Sequence, residues 1–112
     1  MIEERTGRET ARKQILSIAR ALLAGEIDVL HAAEQIAGYA DSLDPKYQDP
    51  DLRTFGAISS ETDHYLVIDS VAGWHPDDRE AREAEYEAAN NFYAEAATRA
   101  AKALLEKLAP PA

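Results

Sequence analysis

The chain has 112 residues, 46% of them hydrophobic and 29% charged, with no cysteine and a net charge of −9. At this length about two-thirds of the unfolded surface can be buried around one core, and the composition is that of a single globular domain, not of a disordered segment. The missing cysteines exclude disulfides, thiolate zinc sites and cysteine nucleophiles; no apolar run approaches the ~20 residues of a membrane span, and the acidic start Met1 to Arg5 holds no apolar signal core, so a cytoplasmic location is the expectation.

From Glu9 to Ala24 the residues Ile15, Ile18, Ala19, Leu22 and Leu23 recur at three- and four-residue spacing, with Arg8, Arg12, Lys13 and Arg20 largely off that stripe. The spacing predicts an amphipathic helix. Gly25 follows its last apolar turn, where a left-handed C-terminal cap favours glycine. A second stripe, Leu30, Ala33, Ile36, Ala37, Ala40 and Leu43, predicts a helix from Asp28 to Leu43 with Asp28 as N-cap, its carboxylate accepting from a first-turn amide. The short joint makes the two helices antiparallel neighbours.

Asp44 to Asp51 carries two prolines and reads as a turn-rich connection. Its end, Asp49-Pro50, has the form of an N-cap followed by a first-turn proline, opening a third helix with Leu52, Phe55 and Ile58 and ending near Ser60 or Glu61. Residues 62–75 contain the apolar run Tyr65-Leu66-Val67-Ile68, too short to make a sheet alone. They read as an irregular loop or short helix that Trp74 pins to the core.

Pro76-Asp77-Asp78 then starts a last helix that continues to Leu108 with no internal proline or glycine. Roughly thirty residues span about 45–50 Å at the α-helical rise, nearly twice the first helix. Its contact stripe is alanine-rich, through Ala89, Ala96, Ala97, Ala100 and Ala103, with Phe92, Tyr93, Leu104 and Leu108 as larger anchors. Three arrangements would cover the excess length: packing along two shorter helices, a bend near Asn90-Asn91, or an overhang that pairs in a homodimer. The prolines of the tail 109–112 end the helix. The expected fold is therefore an all-α, four-helix bundle-like single domain over residues 1–108 with a flexible tail.

The charge is unevenly placed. Residues 1–25 carry five Arg/Lys against three Glu, residues 26–87 sixteen Asp/Glu against four Arg/Lys, and residues 88–112 three basic against two acidic groups. Such an acidic middle repels a nucleic-acid backbone, whose binding rests on basic patches, and attracts a basic protein or peptide. Asp44, Asp49, Asp51, Asp63, Asp77 and Asp78 are the acids expected to meet that partner. Tyr47 in the acidic turn is the interface aromatic, whereas Tyr93 and Trp74 suit the core.

Two carboxylate-x-x-His pairs stand out, Asp28 with His31 and Glu61 with His64. On a helix that spacing puts both groups on one face, and di-iron helical bundles use paired Glu-x-x-His motifs with further glutamates. Here Asp28 is needed as an N-cap and Glu61 lies at a helix end, so a capping role outweighs a metal site. Ser59, Ser60, Glu61, Thr62, Asp63 and His64 hold hydroxyl, carboxylate and imidazole groups in sequence, but a nucleophilic site needs their placement in space and an oxyanion hole. No nucleophile elbow, phosphate loop or dinucleotide fingerprint occurs, so no cofactor and no enzymatic role is expected. Glu80, Glu83 and Glu87 share a helical face and suit the positive end of the helix dipole.

The segment Phe55 to His64, with its Ser60-Glu61-Thr62-Asp63 core and Trp74 further on, resembles a family of small bacterial all-helical proteins of unassigned activity that carry a similar Ser-Glu-Thr-Asp segment after a short helix. Those proteins have a proline-containing turn soon after it, where this chain has Tyr65 to Ile68. In shape and charge the chain is also similar to bacterial toxin-immunity proteins, which implies a protein partner and no chemistry. The expectation is a non-enzymatic protein-binding module; a metal-binding bundle using Asp28, His31, Glu61 and His64 is the alternative.

Overall fold

Four helices follow one another in the computed structural model, α1 (Ile2–Leu23), α2 (Val29–Leu43), α3 (Pro50–Thr62) and α4 (Pro76–Leu108). The structure describes residues 2–46, 48–63 and 76–109, with side chains from residue 7 in α1 and from residue 79 in α4. No strand occurs among the described residues, and the architecture is the expected all-α bundle. Tyr47, His64, Trp74 and the apolar run 65–68 lie outside the described residues, as do positions 110–112 of the tail and nearly all of the segment expected to be irregular.

The helix ends are determined by local chemistry. Gly25 has φ +76 and donates its N–H to the Leu22 carbonyl, while Glu26 donates to Ala21, so two carbonyls that α1 would leave open are satisfied by a left-handed turn. A side chain at position 25 would be strained in that conformation. Asp28 caps α2 by accepting from the His31 N–H at 2.8 Å, and Asp49 caps α3 by accepting from Asp51 and Leu52 at 2.9 and 3.0 Å, with Pro50 in the first turn. At the other end of α3, the buried Thr62 hydroxyl donates to the Ile58 carbonyl at 2.6 Å.

Contacts run from α1 to α2, α2 to α3, α3 to α4 and α4 back to α1, with α2 also touching α4. The chain alternates up and down: Lys107 near the end of α4 meets the start of α3, and Tyr93 meets its end. The core joins Ile15, Leu30, Ile36, Phe55, Ile58 and Leu104 with alanines from all helices but α3. Each large apolar side chain buried there contributes roughly 1.5–3 kcal/mol.

Three features of the helices differ from the spacing-based expectation. Helix α1 begins at Ile2, not near Glu9, because apolar periodicity marks where a helix is buried and not where it starts; residues 7–10 are exposed. With 22 residues in α1 and 33 in α4, the length mismatch is smaller than expected. Second, α4 runs unbroken through Asn90-Asn91, so the expected bend is not there; its later half packs along α1 and α3, whereas no residue from 79 to 88 is buried. Third, Phe92 is 79% exposed and Ala96 is also exposed, so neither belongs to the contact stripe; Ala101, fully buried, does. The true stripe runs through residues 86, 90, 93, 97, 101 and 104, about 100° or more around the helix from Phe92.

Candidate functional site

The polar chemistry of the molecule is concentrated where the inner face of α4 meets the N-terminal ends and termini of its neighbours. At the top of that face Tyr86 donates its hydroxyl to Oδ2 of Asp28, and the phenol oxygen lies 2.8 Å from His31 Nδ1. His31 Nδ1 lies 2.8 Å from Asp28 Oδ1, and its ring packs edge-on against Tyr86 at 6.1 Å between centroids. A carboxylate only accepts, so this network places the imidazole proton on Nδ1. Burial alone would raise the Asp28 pKa, but hydrogen bonds from the Tyr86 hydroxyl and from the backbone and ring of His31 outweigh it and hold the carboxyl below its usual value.

One turn further along α4, Asn90 accepts the Leu30 N–H on Oδ1 at 3.2 Å and donates through Nδ2 to the Tyr86 carbonyl, also at 3.2 Å. The first turn of α2 leaves amides without intrahelical partners; Asp28 satisfies one from within the chain's own turn, and Asn90 satisfies another across the bundle. An asparagine that reads as a weak point in a long helix is thus an N-terminal cap for a different helix. Seven residues after Tyr86, Tyr93 donates its hydroxyl to Oε2 of Glu61 at the end of α3.

The bottom of α4 carries the fourth polar contact. Lys107 Nζ reaches Asp49 Oδ2 at 2.7 Å and Asp51 Oδ2 at 2.5 Å, and Asp44 accepts the Asp49 N–H at 2.7 Å. For Asp49, burial pushes the pKa up, and is outweighed by Lys107 and the amides of Leu52 and Asp51, leaving it lowered. For Lys107, burial pushes down and the two aspartates more than reverse it. Arg12 of α1 donates to the Leu108 carbonyl at 2.9 Å, bringing a cation to the negative end of α4.

These positions decide what becomes of the residues singled out in the sequence. Asp28 and His31 do come together, and both Asp28 oxygens are occupied by protein donors. Glu61 is bound by a phenol about 10 Å further along α4, the rise of seven residues. His64 lies outside the described residues, and among the described residues no group of three or more His, Asp or Glu side chains is placed to hold a metal ion. Of the acids expected to face a partner, Asp44, Asp49 and Asp51 are engaged inside the α2–α3 connection and by Lys107; Asp63 is exposed, while Asp77 and Asp78 are helical with side chains outside the description. Sequence reasoning missed Tyr86, Asn90 and Lys107. For Tyr86 and Asn90 a signal was present: 86, 90, 93 and 97 keep a four-three-four spacing, which an apolar-only search passes over; Lys107 lies off that spacing.

A groove of about 420 Å³ lies between α2 and α3, lined by Ala37, Ala40, Leu52, Arg53, Gly56 and Ala57. It brings together no carboxylate or imidazole, so it offers shape without acid–base chemistry. No family model, no curated protein and no solved structure matches the chain. Among the described residues, no helix is long and apolar enough to cross a membrane.

Proposed function

We propose that this protein is a non-enzymatic helical module that binds a basic protein or peptide through an acidic surface on the N-terminal half of α4. The observation that carries the reading is that Glu80, Glu83 and Glu87, which share one helical face, are all exposed, and that no residue from 79 to 88 is buried. Glu85, exposed on another face, adds to the same field, and Arg82 offsets it in part at 3.8 Å. The acids of the α2–α3 connection hold their own fold together and contribute mainly long-range attraction. The net charge of −9 steers a cationic partner toward this end of the molecule and raises encounter rates by about ten- to a thousand-fold at low salt.

The test uses a lysine-rich peptide as probe, titrated against the whole protein at low and moderate ionic strength. Exposed charges further apart than about 10 Å are screened at 0.1 M salt, so affinity should fall steeply with added salt. The triple variant Glu80→Lys, Glu83→Lys, Glu87→Lys should abolish most of the binding while leaving the helical signal unchanged. Association that ignores both salt and this variant would overturn the reading.

A further inference from the structure

The outward face of α4 has a symmetry that the bundle itself does not use. Phe92 stands 79% exposed at the midpoint of α4, sixteen residues from each end of Pro76–Leu108; among the described residues the other exposed large apolar side chain, Leu23, is at 37%. Its ring is fixed edge-on against Tyr93, 4.8 Å between centroids, so it is held outward by the helix and not folded back. On the same face Ala88 and Ala96 lie four residues to either side, and Ala81 and Ala103 eleven residues to either side. Seven residues to either side stand Glu85 and Arg99. About Phe92, from position 81 to position 103, the stripe is therefore symmetric in size and antisymmetric in charge.

We propose that two copies of this chain pair antiparallel along α4, with Phe92 against Phe92 on the two-fold axis. Such an axis places residue 92 − k of one copy level with residue 92 + k of the other. Ala88 then meets Ala96, Ala81 meets Ala103, and Glu85 meets Arg99 twice, once on each side of the axis. Small residues at those four levels leave room for the two phenyl rings on the axis, which set the helix spacing toward the wide end of the usual range of about 8–10 Å. In the single chain Glu85 pairs with Arg82 at 3.8 Å and Arg99 with Glu95 at 3.2 Å, contacts along α4 that water reaches and that exchange at little cost. Two pairings oppose the arrangement: Arg82 level with Lys102, about 80° off the seam, where water screens them, and Asp78 level with Glu106, about 40° off the seam but fourteen residues from the axis, near the ends of the helices. The acidic face of Glu80, Glu83 and Glu87 points about 120° or more away from the seam, so a dimer leaves it open and neither proposal depends on the other.

The mass of the intact protein, measured by light scattering or sedimentation from low to about 100 μM, tests the pairing. That range reveals dissociation constants near the micromolar affinities of modest interfaces. The mass should rise from 12.3 kDa toward twice that value with concentration. Phe92→Glu should give a concentration-independent monomer with the helical signal intact, since the ring is 79% exposed and meets the bundle edge-on at Tyr93. Glu85→Arg and Arg99→Glu should each weaken the dimer about ten-fold, because each sets two like-charge pairs on the seam, and the double exchange should restore it. A wild-type protein that stays at 12.3 kDa throughout, a dimer indifferent to Phe92→Glu, or a double exchange no better than the single ones would each overturn the proposal.

Discussion

The inner face of α4 divides into two halves that do different work. From Ala97 to Leu104 it is apolar, with Ala97, Ala100, Ala101 and Leu104 at 0–2% exposure in the same core as Ile15, Ile36 and Phe55. From Tyr86 to Tyr93 the same face is polar, and each side chain on it meets the end of another helix: Tyr86 the N-cap of α2, Asn90 a first-turn amide of α2, Tyr93 the last turn of α3. Burial in the lower half resists loss of volume but is indifferent to direction. Hydrogen bonds in the upper half contribute less free energy each and specify which helix end sits where. The contrast separates what makes this bundle stable from what sets its register.

The strongest challenge to that division is a truncation in the lower half. Leu104→Ala should cost about 2–5 kcal/mol, the transfer of a buried leucine plus the cavity it leaves, measured as a lower midpoint in urea unfolding. A loss under about 1 kcal/mol would mean that this half of α4 is not core.

In the upper half, Asn90→Ala should cost about 1–2 kcal/mol, the upper range of a lost N-terminal cap, because the amide it leaves unpaired belongs to the fully buried Leu30. Hydrogen exchange sharpens the point: protection should fall at the first turn of α2 and stay unchanged around Leu104. If Asn90→Ala were as damaging as Leu104→Ala, the two halves would not differ in kind.

The smallest effect belongs to Lys107 at the foot of the helix. The pair partners are partly exposed, so Lys107→Met should cost about 0.2–1 kcal/mol at neutral pH. The pH dependence gives it a signature. Asp28 and Asp49 have folded pKa values below the ordinary 3.8, so their contribution is complete above about pH 3.8 and is lost as pH falls through the lowered folded values. Lys107 has a folded pKa above 10.5, so its contribution is complete below about pH 10.5 and is lost as pH rises through the raised value. Between these limits the contribution of these three groups should be constant. Removing Lys107 should make stability less sensitive on the acid side, where Asp49 loses its cation, and flatten the alkaline side.

Much of this was legible in the residues. Gly25, Asp28 and Asp49-Pro50 announce helix ends through chemistry confined to one turn, and the stripes of α1, α2 and α3 follow from apolar side chains at helical spacing. The stripe of α4 was harder, because alanine is small enough to sit on any face: Ala96 is exposed and Ala101 buried, and nothing in either residue distinguishes them. Phe92 shows the same ambiguity from the other side. An aromatic beside Tyr93 suggests the core, yet one step along a helix is a turn of about 100°, enough to send Phe92 outward and Tyr93 in.

The sequence by itself determined the all-α class, three of the four apolar stripes, the caps and the acidic balance, because each depends on neighbours a few residues away in the chain. Only the tertiary structure decided that Asn90 caps α2, that Tyr86 and Tyr93 take up the carboxylates of Asp28 and Glu61, and that Lys107 holds the acidic turn. Those contacts join residues 30 to 60 positions apart. Spacing along a helix says which side chains share a face; the neighbour that face meets is chosen by how all four helices pack at once.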